Sequence, residues 1–459
     1  MLQAPPKTGA GPAWERPWPA SNGGPGGAAG AQSGALAAPR MPGNVALLWV
    51  LYAAYLAAPV YDIPFLGFSW SAILAIPLAI MALGVPVVPS RSEQVFRGFI
   101  AVLWGAAVLP AALGLVDFAT LTMSVRFTYW LMMGVLAVRL LQYANSPRII
   151  WHACFVGVSA LAAMAFFEKC YYGDYGAAFS RLTLMTQNSY GERFSIFAPF
   201  VIGGMAFWRG RWRLAAAVSL AVLLAAAFLL GSRGCWVGIS AGSVALLGLA
   251  LLSGSRAGAR MVVVAAGMAV LVALVLSWAM AQTPYVEQRL RTFENLDRDK
   301  PTRTRIALTR KALALWTERP WFGIGIGQFR LSHADILLPP TYHTDLEELN
   351  RRSSHNAWAQ WLAETGLFGT VPLVLLWLWL FLRGCWAAVR LARIGRHSGI
   401  VFMAAFVGMS VHLAALAGLS GTVPWFVFAL VASVIAEGEG SIGERVPGLA
   451  QTTGSQGAG

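Results

Sequence analysis

The feature that most constrains this chain is a series of long apolar runs that contain almost no charged residues. An α-helix needs about 20 predominantly apolar residues to cross the roughly 30 Å hydrocarbon layer of a bilayer. Such runs lie near residues 44–60, 66–88, 95–116, 124–143, 149–167, 194–208, 212–230, 235–252, 261–281, 367–382, 399–416 and 421–436. The sequence therefore predicts an all-α polytopic membrane protein with about twelve transmembrane helices.

The composition agrees with a chain that is solvated by lipid. Hydrophobic residues make up 57% of the sequence and charged residues only 12%, which excludes a water-soluble domain covered by polar side chains. The formal charge of +14 would suggest a nucleic-acid partner in a soluble protein. Here the basic residues follow a membrane topology, so membrane lipids are expected as partners and nucleic acid is not.

The distribution of basic residues predicts the orientation of the helices. With a cytoplasmic N-terminus, the short cytoplasmic connections carry thirteen arginines: Arg91, Arg97, Arg139, Arg148, Arg209, Arg211, Arg213, Arg256, Arg260, Arg383, Arg390, Arg393 and Arg396. The short outer loops then carry five basic residues: Arg126, Lys169, Arg181, Arg193 and Arg233. This excess satisfies the positive-inside rule, and it predicts an inner-membrane protein with both termini in the cytoplasm.

The same pattern divides the chain into five segments. Residues 1–43 and 437–459 are rich in Gly and other small residues and are predicted to be disordered cytoplasmic tails. Residues 44–281 hold predicted transmembrane helices one to nine, and residues 367–436 hold helices ten to twelve. The polar segment 282–366 between them is predicted to be one large, partly helical periplasmic loop.

Two helices are predicted in this loop. Asp299 and Pro301 mark the start of the first, which runs through Trp316 and is stopped by Pro320. On it, Arg305 shares a face with a group of apolar residues and is the arginine aimed at the packed side. That group consists of Leu308, Ala312, Leu313 and Trp316.

The second helix is predicted to begin after Ser354 and to break at Gly366. His355 is then placed in its first turn, on its apolar face. An imidazole has an ordinary pKa of about 6.5, and a helix N-terminus disfavours its charged form. His355 is therefore a candidate general base, although a capping or core histidine fits the same pattern. His333 and His343 match no common metal-binding spacing.

Arginines form a candidate anion site at the outer membrane surface. Arg233 lies in the sequence G-S-R-G at 231–234, between two apolar runs. Its planar guanidinium group can donate two parallel hydrogen bonds to phosphate oxygens, and the flanking glycines permit close approach of the anion. A snorkelling arginine at a helix end is the alternative interpretation. Together with Arg305 and Arg181, it would suit a lipid-linked diphosphate.

Other conspicuous features indicate structure rather than chemistry. The G-I-G-I-G sequence at 323–327 lacks the spacing of a nucleotide-binding loop and is predicted to be a turn. Basic neighbours crowd Asp297 and Asp299, so no metal site is expected there. His412 is predicted to be a helix-packing hydrogen bonder. The four cysteines are predicted to be packing residues, with a bridge between Cys170 and Cys235 left open.

Four sequence pieces resemble the O-antigen ligase and polymerase superfamily. They are G-S-R-G-C-W at 231–236, R-T-R-I-A-L at 303–308, E-R-P-W-F-G-I-G-I-G-Q-F at 318–329, and S-S-H-N-A-W-A-Q-W-L-A-E-T-G-L-F-G at 353–369. Each piece is moderately specific, and their order and spacing are more so. With the twelve-span layout, the resemblance covers nearly the whole chain except its tails.

The resemblance implies an enzyme that transfers O-antigen polysaccharide from undecaprenyl diphosphate to lipid A-core at the periplasmic face. It implies a fold similar to other polytopic glycosyltransferases of the GT-C type and an inverting reaction without metal or other cofactor. Family arginines that recognise the donor diphosphate map onto Arg233 and Arg305, and the family histidine maps onto His355. Arg181 is an addition of ours to this set.

The sequence leaves the acceptor open. An O-antigen polymerase or a protein O-oligosaccharyltransferase of the same superfamily is an alternative to the ligase. A transporter of a lipid-linked anion is an alternative of another class, since it would also display arginines beside a lateral groove. The near absence of charge within the apolar runs and the lack of visible internal duplication argue against a transporter.

Overall fold

A computed structural model describes most of the chain. The described residues are 41–59, 70–83, 89–112, 118–143, 146–172, 187–254, 256–282, 284–291, 300–334, 352–414, 419 and 421–443. Within these ranges the backbone forms helices and turns, with no strand. The expected all-α class is confirmed for this part of the chain.

Fourteen α-helices are found in the described ranges. They are α1 (Gly43–Ala57), α2 (Trp70–Leu83), α3 (Arg91–Ala112), α4 (Phe118–Leu141), α5 (Ser146–Tyr172), α6 (Gln187–Phe207), α7 (Arg211–Leu230), α8 (Arg233–Leu252), α9 (Arg256–Gln282), α10 (Pro284–Arg291), α11 (Lys300–Glu318), α12 (Ala357–Arg393), α13 (Ser398–Leu413) and α14 (Thr422–Gly443). Each of the twelve predicted apolar runs coincides with one of them.

The lengths and compositions of the helices identify a multi-pass membrane protein. Among the described residues, seven helices are long and apolar enough to span a bilayer, and they belong to α4, α5, α7, α8, α9, α12 and α14. Shorter apolar helices include α1 and α13. The total of twelve spans and the GT-C-like arrangement stay predictions.

Hydrogen bonds and ion pairs join the helix ends that the charge pattern predicts to be cytoplasmic. Arg383 donates to Glu439 at 2.8 Å and Arg396 donates to Glu437 at 2.8 Å. Ser92 also donates to Glu439, which ties the start of α3 to the end of α14. The loop segment 300–334 contacts the opposite helix ends, as shown by the hydrogen bond from Gln328 to Thr120.

Small residues allow α6, α8 and α13 to pack closely in the centre of the molecule. A Cβ atom on Gly408 would lie 2.6 Å from the carbonyl oxygen of Ser195, and one on Gly238 would lie 2.6 Å from its hydroxyl. Close backbone approach of this kind is typical of membrane helix interfaces. It brings the N-terminal ends of α6 and α8 beside the C-terminal end of α13, where the candidate site lies.

Candidate functional site

The glycine-rich turn after α11 joins the two loop helices. Backbone N–H groups of Ile324 and Gly325 donate to the carbonyls of Ala363 and Glu364 at 2.9 and 3.0 Å. In return, the N–H of Leu367 donates to the carbonyl of Pro320 at 2.9 Å. The segment 323–327 is therefore a turn, as predicted, and its role is to attach α11 to the start of α12.

Glycine is required on both sides of this junction. Gly323 has a φ of +69° and Gly366 a φ of +60°, both in the left-handed region. A Cβ atom on Gly323 would lie 2.4 Å from the carbonyl carbon of Glu364. Gly366 interrupts the helical geometry of α12, so residues 357–365 form a separate first segment of that helix.

Helix α11 begins at Lys300 and ends at Glu318, as its start and stop signals predict. Leu308 and Ala312 are buried on its packed face, and Arg305 lies half-buried at the edge of that face. The prediction for Leu313 was wrong, because its side chain is 44% exposed. The packed face is centred on Leu315 and Lys311, so Leu313 points away from it.

The prediction that His355 lies in the first turn of a helix was also wrong. Helix α12 begins at Ala357, and Asn356 is its N-cap. The Asn356 side chain accepts hydrogen bonds from the backbone N–H groups of Trp358 and Ala359, both at 3.1 Å. Asn is among the strongest N-cap residues, and this capping leaves His355 immediately outside the helix with a φ of +52°.

The surroundings of His355 favour a neutral imidazole. Burial lowers the pKa of His355 below its ordinary value of 6.5, and the positive charges of Arg305 and Arg352 lower it further. Near neutral pH the ring is therefore uncharged and able to accept a proton. Its Nδ1 atom is buried and makes no hydrogen bond within the described part of the chain.

Arg233 is the first residue of α8, and it contacts the start of α11. Its Nη2 atom lies 3.4 Å from the hydroxyl oxygen of Thr302, one turn before Arg305. The N-terminal end of a helix carries free N–H groups and partial positive charge, which favour an anion. The N-terminal ends of α8 and α11, each carrying an arginine, therefore lie together.

His412 connects this region to the transmembrane helices. Its Nδ1 atom lies 3.0 Å from the oxygen of the Ser195 hydroxyl, and that hydroxyl donates to the carbonyl of Gly191 at 2.7 Å. This interhelical hydrogen bond confirms the packing role predicted for His412. Glu192 and Arg305 are both close enough to act on the ring electrostatically, so Arg305 lies near the N-terminal end of α6 and the C-terminal end of α13.

An apolar groove runs along α8 below Arg233. It has a volume of about 310 Å³ and is lined by α7, α8 and α9. Trp236, one turn after Arg233, lies at its wall, and Ser240, Ser243 and Met268 extend it along the helices. Apart from Ser240 and Ser243, its lining is apolar or aromatic, so the groove is suited to an apolar ligand.

Four of the predicted residues lie outside the described residues: Arg181, Asp297, Asp299 and His343. His333 is described and exposed. In the described ranges, no group of three or more His, Cys, Asp or Glu residues is placed to hold a metal ion. Cys170 and Cys235 are both free thiols, so the bridge left open above is not formed.

Sequence reasoning missed four residues that surround the predicted ones: Thr302, Arg352, Gln360 and Glu364. Glu364 is buried with only 5% of its surface exposed, and it accepts hydrogen bonds from Gln360 and from the backbone of Phe329. The spacing of Gln360 and Glu364 places them on one helix face. That spacing could have identified the pair, but not its contact with Phe329.

Comparison with known proteins identifies the central part of the chain. Residues 218–374 match the family model described as O-antigen ligase, and members of this family are glycosyltransferase-like enzymes. The matched range contains Arg233, Arg305 and His355. None of the curated proteins matches the chain. Residues 218–374 therefore resemble this family, and the resemblance inferred from the motifs is confirmed for that range.

Proposed function

We propose that this protein is an O-antigen ligase, which transfers O-antigen polysaccharide from undecaprenyl diphosphate to lipid A-core at the periplasmic face of the inner membrane. The observation that carries the proposal is the convergence of two arginine-bearing helix N-termini with a neutral histidine. Arg233 touches the first turn of α11, and Arg305 of the same helix acts electrostatically on His355. Such a set provides both an anion site and a base.

The arginines are suited to the donor diphosphate. As the bond between the sugar and the diphosphate breaks, negative charge develops on the leaving oxygen. Arg233 and Arg305 would hold this charge at a preformed site, where electrostatic help requires little reorganisation. Arg181 stays part of the proposed diphosphate-binding set because it lies in a predicted outer loop.

The apolar groove below Arg233 is the proposed site for the polyprenyl chain. Trp236 and Ser240 follow Arg233 along α8 and line the groove, so a lipid lying there would place its diphosphate beside Arg233. The polyprenyl chain could then enter the groove sideways from the bilayer without passing a charged residue in the transmembrane helices. The small number of ionisable residues in these helices agrees with such entry.

His355 is the proposed general base. It would take the proton of the acceptor hydroxyl while the hydroxyl oxygen attacks the anomeric carbon. The carbon–oxygen bond to the diphosphate breaks in the same step, and undecaprenyl diphosphate leaves. Direct displacement inverts the anomeric configuration, and general base catalysis of this kind contributes about 10²- to 10⁴-fold.

The experiment that tests the proposal supplies purified protein with glycan-loaded undecaprenyl diphosphate and a choice of acceptors. The acceptors are lipid A-core, a second donor molecule and a protein rich in Ser and Thr, and products are identified by mass spectrometry. Arg233→Ala and Arg305→Ala should raise the donor KM and reduce transfer. Arg256→Ala, at the opposite helix ends, is the matched control and should leave both unchanged.

Each outcome has a defined meaning. Transfer to lipid A-core alone supports the ligase. Extension of the donor glycan would replace the ligase with a polymerase, and glycosylated protein would indicate a protein O-oligosaccharyltransferase. Movement of donor across a vesicle membrane without any covalent product would favour the transporter and overturn the proposal.

A further inference from the structure

The backbone of His355 adopts a conformation that its neighbours must hold in place. Its φ of +52° is the only positive value at a non-glycine residue among those described, and side chains disfavour this region. The imidazole Nδ1 atom has no hydrogen-bond partner in the described part of the chain. The direction of the ring therefore depends on the backbone that carries it.

Ser354 and Asn356 fix the backbone on either side of His355. The Ser354 hydroxyl donates to the carbonyl of Asn356 at 2.7 Å and accepts the Asn356 N–H at 3.1 Å. The N–H of Ser354 points at Oε1 of Gln360 at 3.4 Å, and the Ser354 hydroxyl lies 3.2 Å from the same atom. Ser354 is fully buried, so these contacts are shielded from water.

Glu364 determines which way the Gln360 amide points. The Glu364 Oε1 atom accepts from Nε2 of Gln360 at 3.1 Å and from the N–H of Phe329 at 3.2 Å. Burial raises the pKa of Glu364 to about 7, so above that pH the group is a carboxylate, which accepts hydrogen bonds but cannot donate them. It therefore holds the NH₂ group of Gln360 toward itself, and the Gln360 carbonyl is left facing Ser354.

We propose that Glu364, acting through Gln360 and Ser354, is a positioning residue that holds His355 in the orientation required of the base. The Phe329 contact extends this chain of hydrogen bonds to the segment that follows the glycine-rich turn. The buried carboxylate thus couples the packing of α11, the turn and α12 to the direction of one imidazole. The inference rests on the proposed function, in which His355 is the base.

Exchanging the residues at positions 360 and 364 tests the direction of the hydrogen bonds that join Glu364, Gln360 and Ser354. Glu364→Gln places an amide NH₂ among hydrogen-bond donors and removes the constraint on Gln360. Adding Gln360→Glu gives Ser354 a carboxylate oxygen as its acceptor. The new carboxylate at position 360 also accepts a hydrogen bond from the amide at position 364. Glu318→Gln, an exposed carboxylate at the end of α11, is the matched control. Gln360→Ala, which leaves the Glu364 contact with Phe329 intact, decides the question if Glu364→Gln does not accumulate.

Two readouts are measured on each variant. The first is glycan transfer, resolved into kcat and donor KM across pH. The second is modification of His355 by diethyl pyrocarbonate, followed by mass spectrometry across pH, which reports the neutral imidazole without any need for activity. Lowered kcat with unchanged KM, together with an altered pH midpoint of modification, is the signature of a displaced base.

Misplacement of a catalytic group by about 1 Å costs roughly 10²-fold, so Glu364→Gln should lower kcat by about 10- to 100-fold and leave donor KM within about threefold. Its modification midpoint should move toward that of an ordinary histidine, and the double exchange should restore both quantities. Unchanged kcat and unchanged modification in Glu364→Gln and Gln360→Ala would overturn the inference. If the wild type transfers no glycan while the modification midpoint still shifts, positioning holds and the proposed function fails.

Discussion

At the scale of single residues, the charges around His355 set the pH at which it can accept a proton. Arg305 and Arg352 both lower its pKa, in addition to the effect of burial. Activity that needs the neutral ring should be lost as the pH falls through this lowered pKa. The acidic limb of the pH–rate profile is therefore expected below the ordinary histidine value.

Arg352→Gln should move that acidic limb to higher pH, because it removes one of the two positive charges that lower the pKa of His355. The measurement is kcat/KM for transfer as a function of pH. Arg330→Gln, which replaces another exposed arginine of the loop, is the control and should leave the limb in place. A limb that is the same in wild type and Arg352→Gln would contradict the assignment of His355 as the titrating base.

A second residue-scale prediction concerns Lys311, which is fully buried and donates to the carbonyl of Phe329 at 2.9 Å. Burial lowers its pKa from 10.5 to about 8, so between these values the unfolded chain binds a proton that the folded chain does not. The folded state should therefore gain stability as the pH rises through this window. Lys311→Met should lack this gain in stability. The measurement is the unfolding midpoint of each protein in detergent as a function of pH. A constant difference between the wild-type and variant midpoints across this pH window would contradict the prediction.

At the scale of elements, the close packing of α6, α8 and α13 supports the outer surface that holds Arg233. Gly238→Ala would place a methyl group 2.6 Å from the Ser195 hydroxyl and 3.3 Å from the carbonyl of Gly408. Gly248 lies on the same helix, and a Cβ atom there meets nothing within 4 Å. The two glycines thus form a matched pair.

Gly238→Ala should lower the stability of the folded protein by about 1–3 kcal/mol, the usual range for overpacking. Gly248→Ala should leave stability nearly unchanged. Unfolding midpoints of both purified variants give the comparison. Equal midpoints would mean that α6 and α8 are less tightly packed than described.

The loop elements show what the sequence could and could not predict. The limits of α11 follow from local signals at Asp299, Pro301 and Pro320, which act on neighbouring residues. The position of His355 was missed because Asn356 supplies the cap that Ser354 was expected to provide. The contacts of Arg233 with Thr302 and of Glu364 with Phe329 join residues far apart in the chain, so no local pattern encodes them.

At the scale of the whole molecule, the predicted topology places the candidate site and the Arg383–Glu439 end on opposite sides of the membrane. Ser332→Cys and Ile394→Cys test this in a variant without Cys170 and Cys385, since Cys154 and Cys235 are buried and Ile394 is exposed. A membrane-impermeant maleimide should label the Ser332→Cys protein from the periplasm, and the Ile394→Cys protein only after permeabilisation. The reverse pattern would contradict the orientation.

The central claim is that one site binds the lipid diphosphate through arginines and activates the acceptor through His355. Its most direct test compares donor binding and single-turnover transfer to lipid A-core for wild type and His355→Ala. The account predicts that His355→Ala binds the donor as wild type does but transfers glycan at least about 100-fold more slowly. Transfer at the wild-type rate by a folded His355→Ala protein would contradict it.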